Sequence, residues 1–447
     1  MATALRSLPL LADANLQRML VWRAGDAICV GKFLADVQAH AQRLPACRYA
    51  VNLCSDRYRF LVAFCAAMVA GQTNLLPASR APLAVREVMR DYPDSYALID
   101  AQSTGSSTRH YRIDDIESGT SDIGNPEIAT DHIVCIGFTS GSTGQPSANP
   151  KTWGSFCATS ALNANVLGAD CAGLNIVATV PPQHMYGLET SVLLPLRSHA
   201  SIHAAQPFFP ADVDNALADV PAPRMLVTTP VHLRALLREM SSLPSLDAIV
   251  CATAPLDASL AAAAESRFST RVIEMFGSTE TCVIAHRRSA LESNWHLYAG
   301  VDLHPQPDGT LVEAAHFTAP VGLQDIVELL PSRQFILRGR NSDLLEIVGK
   351  RASLTELTQR LLSIDGVDDA VIFQLDADHN GVQRLAALAV APSLSEAQIL
   401  AVLREAVDPV FLPRPLRKIN ALPRNATGKL PRDALLLALR DASASKG

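Results

Sequence analysis

Residues 224–275 read RMLVTTPVHLRALLREMSSLPSLDAIVCATAPLDASLAAAAESRFSTRVIEM. Arg224–Thr228, Leu246–Cys251 and Arg271–Met275 are short apolar runs of strand character. Between them lie two helical patterns, Pro230–Met240 and the alanine-rich Ser259–Phe268. Strands separated by helices of about ten residues spell βαβ units and a parallel sheet. The pattern extends outward on the N-terminal side. Leu174–Val180 (LNIVATV) reads as a strand stopped by Pro181-Pro182, and Phe60–Ala70 (FLVAFCAAMVA) as a buried helix. The expected fold class is α/β, with a large N-terminal domain of parallel-sheet βαβ subdomains.

The ligand edge of such a sheet is where strands end and loops begin. Two segments stand at such ends. The apolar run Ile133–Phe138 empties into Thr139-Ser140-Gly141-Ser142-Thr143-Gly144-Gln145-Pro146. Glycines let a backbone approach closely, and hydroxyls and amides donate to anionic oxygen, so this loop suits phosphate. Loops rich in Ser, Thr and Gly also serve as plain connectors. It is not a P-loop, because Gln145 follows Gly144 and the nearest lysine is Lys151. A phosphotransferase reading through this loop fails there. The second segment, Phe276-Gly277-Ser278-Thr279-Glu280, follows the strand through Met275.

Composition bounds the rest. The 447 residues exceed one ordinary core, and two or three domains are expected. With 48% apolar and 18% charged residues the chain is globular. Its longest strongly apolar stretch, near Phe60–Gly71, falls short of the roughly 20 residues a bilayer span needs. The first residues lack a signal-peptide pattern, and nine scattered cysteines read as reduced thiols, so a cytoplasmic location is expected. No cysteine cluster has zinc-ligand spacing. A net charge of −6 argues against nucleic-acid binding. Within Arg404–Arg440, however, eight basic residues meet only three acidic ones. That stretch suits a polyphosphate or an acidic protein partner, and equally a solvated surface.

The character changes near Gly339-Arg340. Beyond it come helical patterns at Leu354–Ile364 and Ser395–Val407, and strand patterns at Ala370–Gln374 and Leu385–Ala391. The expected domains are therefore 1–340 and a small α+β domain over 341–447.

Four motifs in this order resemble the adenylate-forming superfamily: acyl- and aryl-CoA synthetases, adenylation domains of peptide synthetases, and luciferase. They are Phe138–Pro146 (FTSGSTGQP), Met275–Thr281 (MFGSTET), Asp325 with Gly339-Arg340 and Asp343, and Pro423–Arg432 (PRNATGKLPR). The likeness runs from about Asp26 to the C-terminus. It implies activation of a carboxylic acid by ATP and Mg²⁺ to an acyl-adenylate with release of pyrophosphate, followed by transfer to a thiol. Both reactants are anionic, so the site must neutralise charge and fix an in-line geometry.

The resemblance distributes the roles. Thr139, Ser140, Gly141, Ser142, Thr143 and Gly144 would cradle the β- and γ-phosphates. Thr279 would bond the α-phosphate and Glu280 would hold Mg²⁺; a buried helix cap is the plainer reading of this pair. Thr253, Ala254, Phe276, Gly277 and Ser278 would wall the adenine. Asp325 would accept both ribose hydroxyls, although an Asp after Gly-Leu-Gln is ordinarily a turn residue. Arg340 would touch ribose or phosphate at a domain junction, with a hinge at Asn341–Asp343. Lys429, ordinarily a surface charge, would bridge the carboxylate and the α-phosphate from a mobile small domain.

Val180–Leu188 matches the family's acyl-pocket segment. His184 gates that pocket, contacts the carboxylate, or is a core histidine. The segment has no Asp or Glu before Glu189 to hold a substrate ammonium, which favours an acid that is not an amino acid. The small residues Ala252-Thr253-Ala254 with Phe276 suit an aryl or medium acyl acid. Ser147-Ala148-Asn149-Pro150 separates Pro146 from Lys151, a longer loop than the family's, and leaves open whether Lys151 reaches the phosphates. The short length and this QPSANPKTW segment resemble small ligases of bacterial aryl-polyene and xanthomonadin-type pigment pathways. That likeness implies a hydroxybenzoate-like acid and the phosphopantetheine thiol of an acyl carrier protein. Free CoA as acceptor and a non-catalytic nucleotide-binding homologue are the alternatives.

Overall fold

The computed structural model describes residues 6–103, 109–114, 124–140, 146–169, 173–340, 344–347, 350–375, 384–425 and 428–444. The chain divides into two compact units. One comprises residues 1–292, 297–301 and 314–319; the other comprises 293–296, 302–313 and 320–447.

The first unit is α/β; its described residues form two large sheets and a two-stranded pair, Ser7–Pro9 with Glu127–Ala129. Strands β1 (Met19–Arg23) and β2 (Asp26–Cys29) precede the first large sheet in the chain but join the second. The first sheet uses β3 (Tyr49–Asn52), β4 (Thr73–Leu76), β5 (Ser95–Ile99), β6 (His110–Arg112), β7 (Ile133–Ser140) and β8 (Pro146–Thr152). Its order is β8-β7-β4-β3-β5-β6, parallel except for β8, which returns antiparallel on β7. Helix α1 (Arg57–Val69) crosses between β3 and β4. It is capped by the Asp56 carboxylate accepting the Arg59 amide at 2.8 Å, and is buried nearly all round. At thirteen residues it is a core helix, in keeping with its apolar run Phe60–Val69. No helix among the described residues is long and apolar enough to cross a membrane.

The second sheet holds β9 (Asn175–Ala178), β10 (Ser201–His203), β11 (Arg224–Thr228), β12 (Ala248–Cys251), β13 (Arg271–Ser278) and β14 (Cys282–Arg287). Within this unit the order is β14-β13-β12-β11-β9-β10-β1-β2. The central strands are parallel, while β14 and β2 are antiparallel to their neighbours. Helices α2 (Trp153–Leu167), α3 (Met185–Leu188), α4 (Pro230–Glu239) and α5 (Ala258–Phe268) complete the elements used below. Leu233 and Leu236 of α4, Ala261 and Ala264 of α5, and Leu226 and Ile249 of the strands share one buried cluster. The helical stripe and the strand side chains thus meet as the alternation in residues 224–275 requires.

Two expectations about loops are corrected. Thr139 and Ser140 are still strand, and Pro146–Thr152 is the return strand of a hairpin, not a lengthened loop. Prolines 146 and 150 concealed it. They are tolerated because β8 is the edge of its sheet, where a missing N–H breaks no inner ladder. Likewise β13 runs on through Ser278 because β14 pairs back along it.

In the second unit, β15 (Asp325–Leu330) and β16 (Gln334–Arg340) form a hairpin. Strand β17 (Asp369–Gln374) pairs antiparallel with β18 (Leu385–Val390), and β19 (Leu416–Lys418) lies parallel on β18. Alternating residues of β18 serve two cores. Leu385, Ala387 and Ala389 meet Leu357 and Leu361 of α6 (Leu354–Leu362) and Ile399 and Leu403 of α7 (Glu396–Ala406). Ala386 and Leu388 meet Leu435 and Leu439 of α8 (Arg432–Ala444).

Candidate active site

Residues of the first unit expected from the sequence to face a nucleotide gather where β7 and β13 end. Ser278–Cys282 is a tight hairpin turn locked by its own hydroxyls. The Ser278 amide donates to Thr281 Oγ1 at 3.1 Å, the Thr281 amide donates to Ser278 Oγ at 3.2 Å, and Thr281 Oγ1 donates to the Cys282 carbonyl at 2.8 Å. The β13–β14 register shifts between Phe276 and Gly277. A Cβ on Gly277 would stand 2.1 Å from the Cys282 oxygen, so only glycine fits this crossing. Thr279 and Glu280 occupy the turn and are half-buried. They cap no helix, which removes the plainer reading of the pair. A Cβ on Gly137 of β7 would lie 3.0 Å from Thr279 Cγ2, so a bare backbone there admits the turn.

Thr139 Oγ1 donates to Glu280 Oε1 at 3.4 Å, joining the two predicted segments. Gly141, Ser142, Thr143 and Gly144 lie outside the described residues, and Ser140 is described in its backbone alone. Lys151 of β8 is buried and its ammonium donates to the Glu280 main-chain carbonyl. The lysine therefore braces the turn that carries Thr279 and Glu280. A carboxylate and a hydroxyl at one strand end are hard oxygen donors of the kind Mg²⁺ accepts alongside phosphate oxygens and water. Among the described residues no three His, Cys, Asp or Glu side chains converge, and a nucleotide-borne Mg²⁺ requires no such cage.

The segment expected to line an acid pocket, Val180–Leu188, is braced by buried arginine. Arg57, 1% exposed, donates to the carbonyls of Ala178 and Val180, each at 2.9 Å, and to Ser191 Oγ. Its burial pushes the guanidinium down to about 10. Arg80 donates to Gln183 Oε1 at 3.2 Å. His184 is half-buried, precedes α3 and accepts the Leu188 amide on its carbonyl at 2.7 Å. Tyr186 lays its hydroxyl across the strand ends, donating to the Val250 carbonyl at 2.9 Å and the Thr228 carbonyl at 3.3 Å. Thr253 follows β12 at φ +81°, a left-handed conformation costly for a β-branched residue. Its Oγ1 is buried with no hydrogen-bond partner among the described residues. Ala254 and Phe276 beside it are half-buried, and Gly277 is exposed.

The second unit carries the remaining predicted residues. Asp325 is buried at the start of β15 and stands opposite Arg340, the last residue of β16. The fifteen-residue spacing is thus a hairpin register. The Asp325 carbonyl accepts Thr310 Oγ1 at 2.6 Å, so the residue is a strand member and not a turn. Arg340 is described in its backbone alone, and Asn341–Asp343 lie outside the described residues. Lys429 is exposed in a loop that is held at its base. Arg424 grips both Asp369 oxygens at 2.9 and 2.7 Å and donates to the Gly428 carbonyl at 2.7 Å. Asn425 accepts the Lys429 amide on Oδ1 at 2.9 Å and donates its own amide to the Lys429 carbonyl at 2.9 Å.

Sequence reasoning missed Arg57, Glu189 and the Arg424–Asp369 pair. A lone charge at the edge of an apolar run was the available signal for Arg57 and Glu189. For Arg424 and Asp369 there was none, since they lie 55 residues apart.

A family model for AMP-binding enzymes matches residues 43–308. That is more than half of the chain and includes the Thr139 and Thr279–Glu280 ends. The chain belongs to the AMP-binding enzyme family, whose members use ATP with Mg²⁺. It is 23% identical over 332 residues to the putative long chain fatty acid-CoA ligase VraA of Staphylococcus haemolyticus, covering 69% of this chain and 71% of that protein. Malpibaldin synthetase of Mortierella alpina is 33% identical over 133 residues, 28% of this chain but only 2% of that much longer protein. The fold matches the anthranilate CoA ligase AuaEII in complex with anthranoyl-AMP at a TM-score of 0.80 and 17% identity, covering 98% of this chain and 99% of that one. It also matches o-succinylbenzoate CoA synthetase of Bacillus subtilis bound to ATP and magnesium at a TM-score of 0.80 and 18% identity, covering 96% and 99%.

Proposed function

We propose that this protein activates a carboxylic acid with ATP and hands the acyl group to a thiol. The observation that carries this reading is the approach of Thr139 to Glu280 at two strand ends inside the family-matched region. In the first step a carboxylate oxygen attacks the α-phosphorus of ATP. The bond from that phosphorus to its bridging oxygen breaks, and pyrophosphate leaves. In the second step a thiol sulfur attacks the acyl carbon, AMP leaves, and the thiol proton passes to solvent.

Thr279 is the donor for the α-phosphate, and Thr139 with the following loop holds the outer phosphates. Mg²⁺, when bound, neutralises phosphate charge, and Glu280 is the residue that would hold it. Asp325 takes the ribose hydroxyls, and Lys429 stabilises charge on the α-phosphate as the new bond forms. The substrate is an aryl acid of hydroxybenzoate type. That reading is supported by the small residues Ala252 to Ala254, the Phe276 ring, and the absence of an acidic residue in Val180–Leu188. The acceptor is the phosphopantetheine thiol of an acyl carrier protein, a reading supported by the basic Arg404–Arg440 stretch. Free CoA is the second reading, favoured by the similarity to VraA, named as a CoA ligase.

Carboxylate-dependent ATP–pyrophosphate exchange over benzoates, cinnamates, fatty acids and amino acids tests the first step. Exchange confined to benzoates is expected; exchange with fatty acids alone removes the aryl assignment, and none with any acid removes the activation step. Adding CoA or carrier protein to preformed acyl-adenylate then separates the acceptors.

A further inference from the structure

Glu189 is a carboxylate that the proposed chemistry does not use. It is 1% exposed and directly follows α3, the helix that His184 introduces. It opens a single π-helical turn, Glu189–Leu193, before the helix resumes. An isolated π-turn re-aims the side chains that follow it and recurs at functional sites. Glu189, at the head of this turn, reaches β14 with its carboxylate. Both carboxylate oxygens accept the Val283 amide at 3.1 Å, and Oε1 also accepts Asn163 Nδ2 of α2 at 3.3 Å. Asn163 is itself oriented by the Tyr298 hydroxyl, which donates to its Oδ1 at 2.9 Å. Val283 lies three residues after Glu280, just beyond the turn. Met185 of α3 touches the same strand, with its sulfur 3.8 Å from the Cys282 thiol.

The Thr279–Glu280 turn is therefore gripped from two directions, by Lys151 on the Glu280 carbonyl and by Glu189 through Val283. We propose that Glu189 is a positioning residue for the nucleotide half of the site, linking the segment of His184 and Tyr186 to the turn that carries Thr279 and Glu280. This rests on the roles proposed for Thr279 and Glu280. Hydrogen bonds to a carboxylate are stronger than those to a neutral oxygen, so the grip depends on the state of Glu189. Burial pushes that carboxyl up to about 7. The groups that face it are Lys151 from β8, Cys282 from β14 and Tyr298. Burial holds the thiol and the phenol neutral, which leaves Lys151 as the charged one among them. Arg57 reaches the same π-turn at Ser191.

The test measures ATP–pyrophosphate exchange for the full chain, Glu189→Ala and Glu189→Gln, with MgATP and the acid varied separately. Glu189→Ala should raise KM for MgATP roughly tenfold, the scale of losing one charge-assisted bond, with KM for the acid within about twofold. Glu189→Gln keeps an acceptor for Val283 and should recover most of that loss. The unsubstituted protein should lose MgATP affinity as pH falls through about 7, and Glu189→Gln should not. Equal effects on both KM values, or unchanged kinetics with only a lowered melting temperature, overturn the proposal. If Glu189→Ala does not fold, the Gln variant decides: a pH profile identical to that of the unsubstituted protein overturns it. Failure of the underlying reading is distinct, because it leaves the unsubstituted protein itself without exchange.

Discussion

At the scale of single residues, Lys429 is a motif residue whose role is open to a direct split of half-reactions. It stands on a loop fixed by Arg424 and Asp369, so its placement is structural while its charge is the functional variable. Lys429→Ala should lower pyrophosphate exchange about 10²–10³-fold, the usual loss for one transition-state donor, and spare thioester formation from preformed acyl-adenylate. Equal loss of both steps would remove the assignment. Glu189 makes a second, thermodynamic prediction. Its folded pKa of about 7 lies above the ordinary 4.5, so the fold favours the protonated form. Stability from this group is full below about pH 4.5 and is lost as pH rises toward about 7. Relative to Glu189→Gln, the unsubstituted protein should lose up to about 3 kcal/mol across that window, read from denaturant midpoints at a series of pH values. A constant difference between the two proteins would mean that the carboxyl titrates normally. Lys429 was legible in the sequence because a motif frames it. Arg57 and Glu189 were not, because their partners, main-chain groups together with Ser191 and Asn163, are brought near only by the fold.

At the scale of elements, the strands and helices of residues 224–275 were legible to within a residue or two at most ends, because apolar period and turn residues agree there. The hairpins were not. Residues Phe276–Ser278 and Pro146–Thr152 contain the glycine and prolines that ordinarily end a strand, and what makes them strand is a partner's ladder of hydrogen bonds. Those two hairpins hold the Thr279–Glu280 turn and Lys151, so the least legible elements are the ones that shape the candidate site. Gly277 is the pivot. In Gly277→Ala the new methyl meets the Cys282 carbonyl at 2.1 Å, and the turn must open. A cost of about 1–3 kcal/mol and a loss of exchange of at least roughly tenfold are expected, with circular dichroism little changed. Gly322→Ala, where nothing lies within 4 Å, is the matched control and should behave as the unsubstituted protein. Exchange retained in Gly277→Ala would mean that the turn's geometry does not limit the reaction.

At the scale of the whole molecule, a chain of net charge −6 concentrates eight basic residues in Arg404–Arg440, within the second unit. The structure sorts them. Arg424 is held by Asp369, and Arg417 lies 3.7 Å from Glu396, so both are committed internally. Arg404, Arg414, Arg432 and Arg440 are exposed, and Lys418 is half-buried. Exposed charge on such a unit changes encounter rates more than it changes bound-state energies, and its effect is screened over about 10 Å at 0.1 M salt. If an acidic carrier protein is the acceptor, the exposed subset must steer it, and the committed pair must not. Arg404→Glu combined with Arg414→Glu should therefore slow transfer to carrier protein several-fold at low salt, with the difference shrinking as salt is raised. Pyrophosphate exchange should stay unchanged, since neither residue is assigned to ATP or the acid. Transfer to free CoA serves as the second arm. A loss confined to the carrier assigns the surface to protein docking; an equal loss with CoA assigns it to the polyphosphate of the cofactor; no loss with either at low salt leaves these charges to solubility alone.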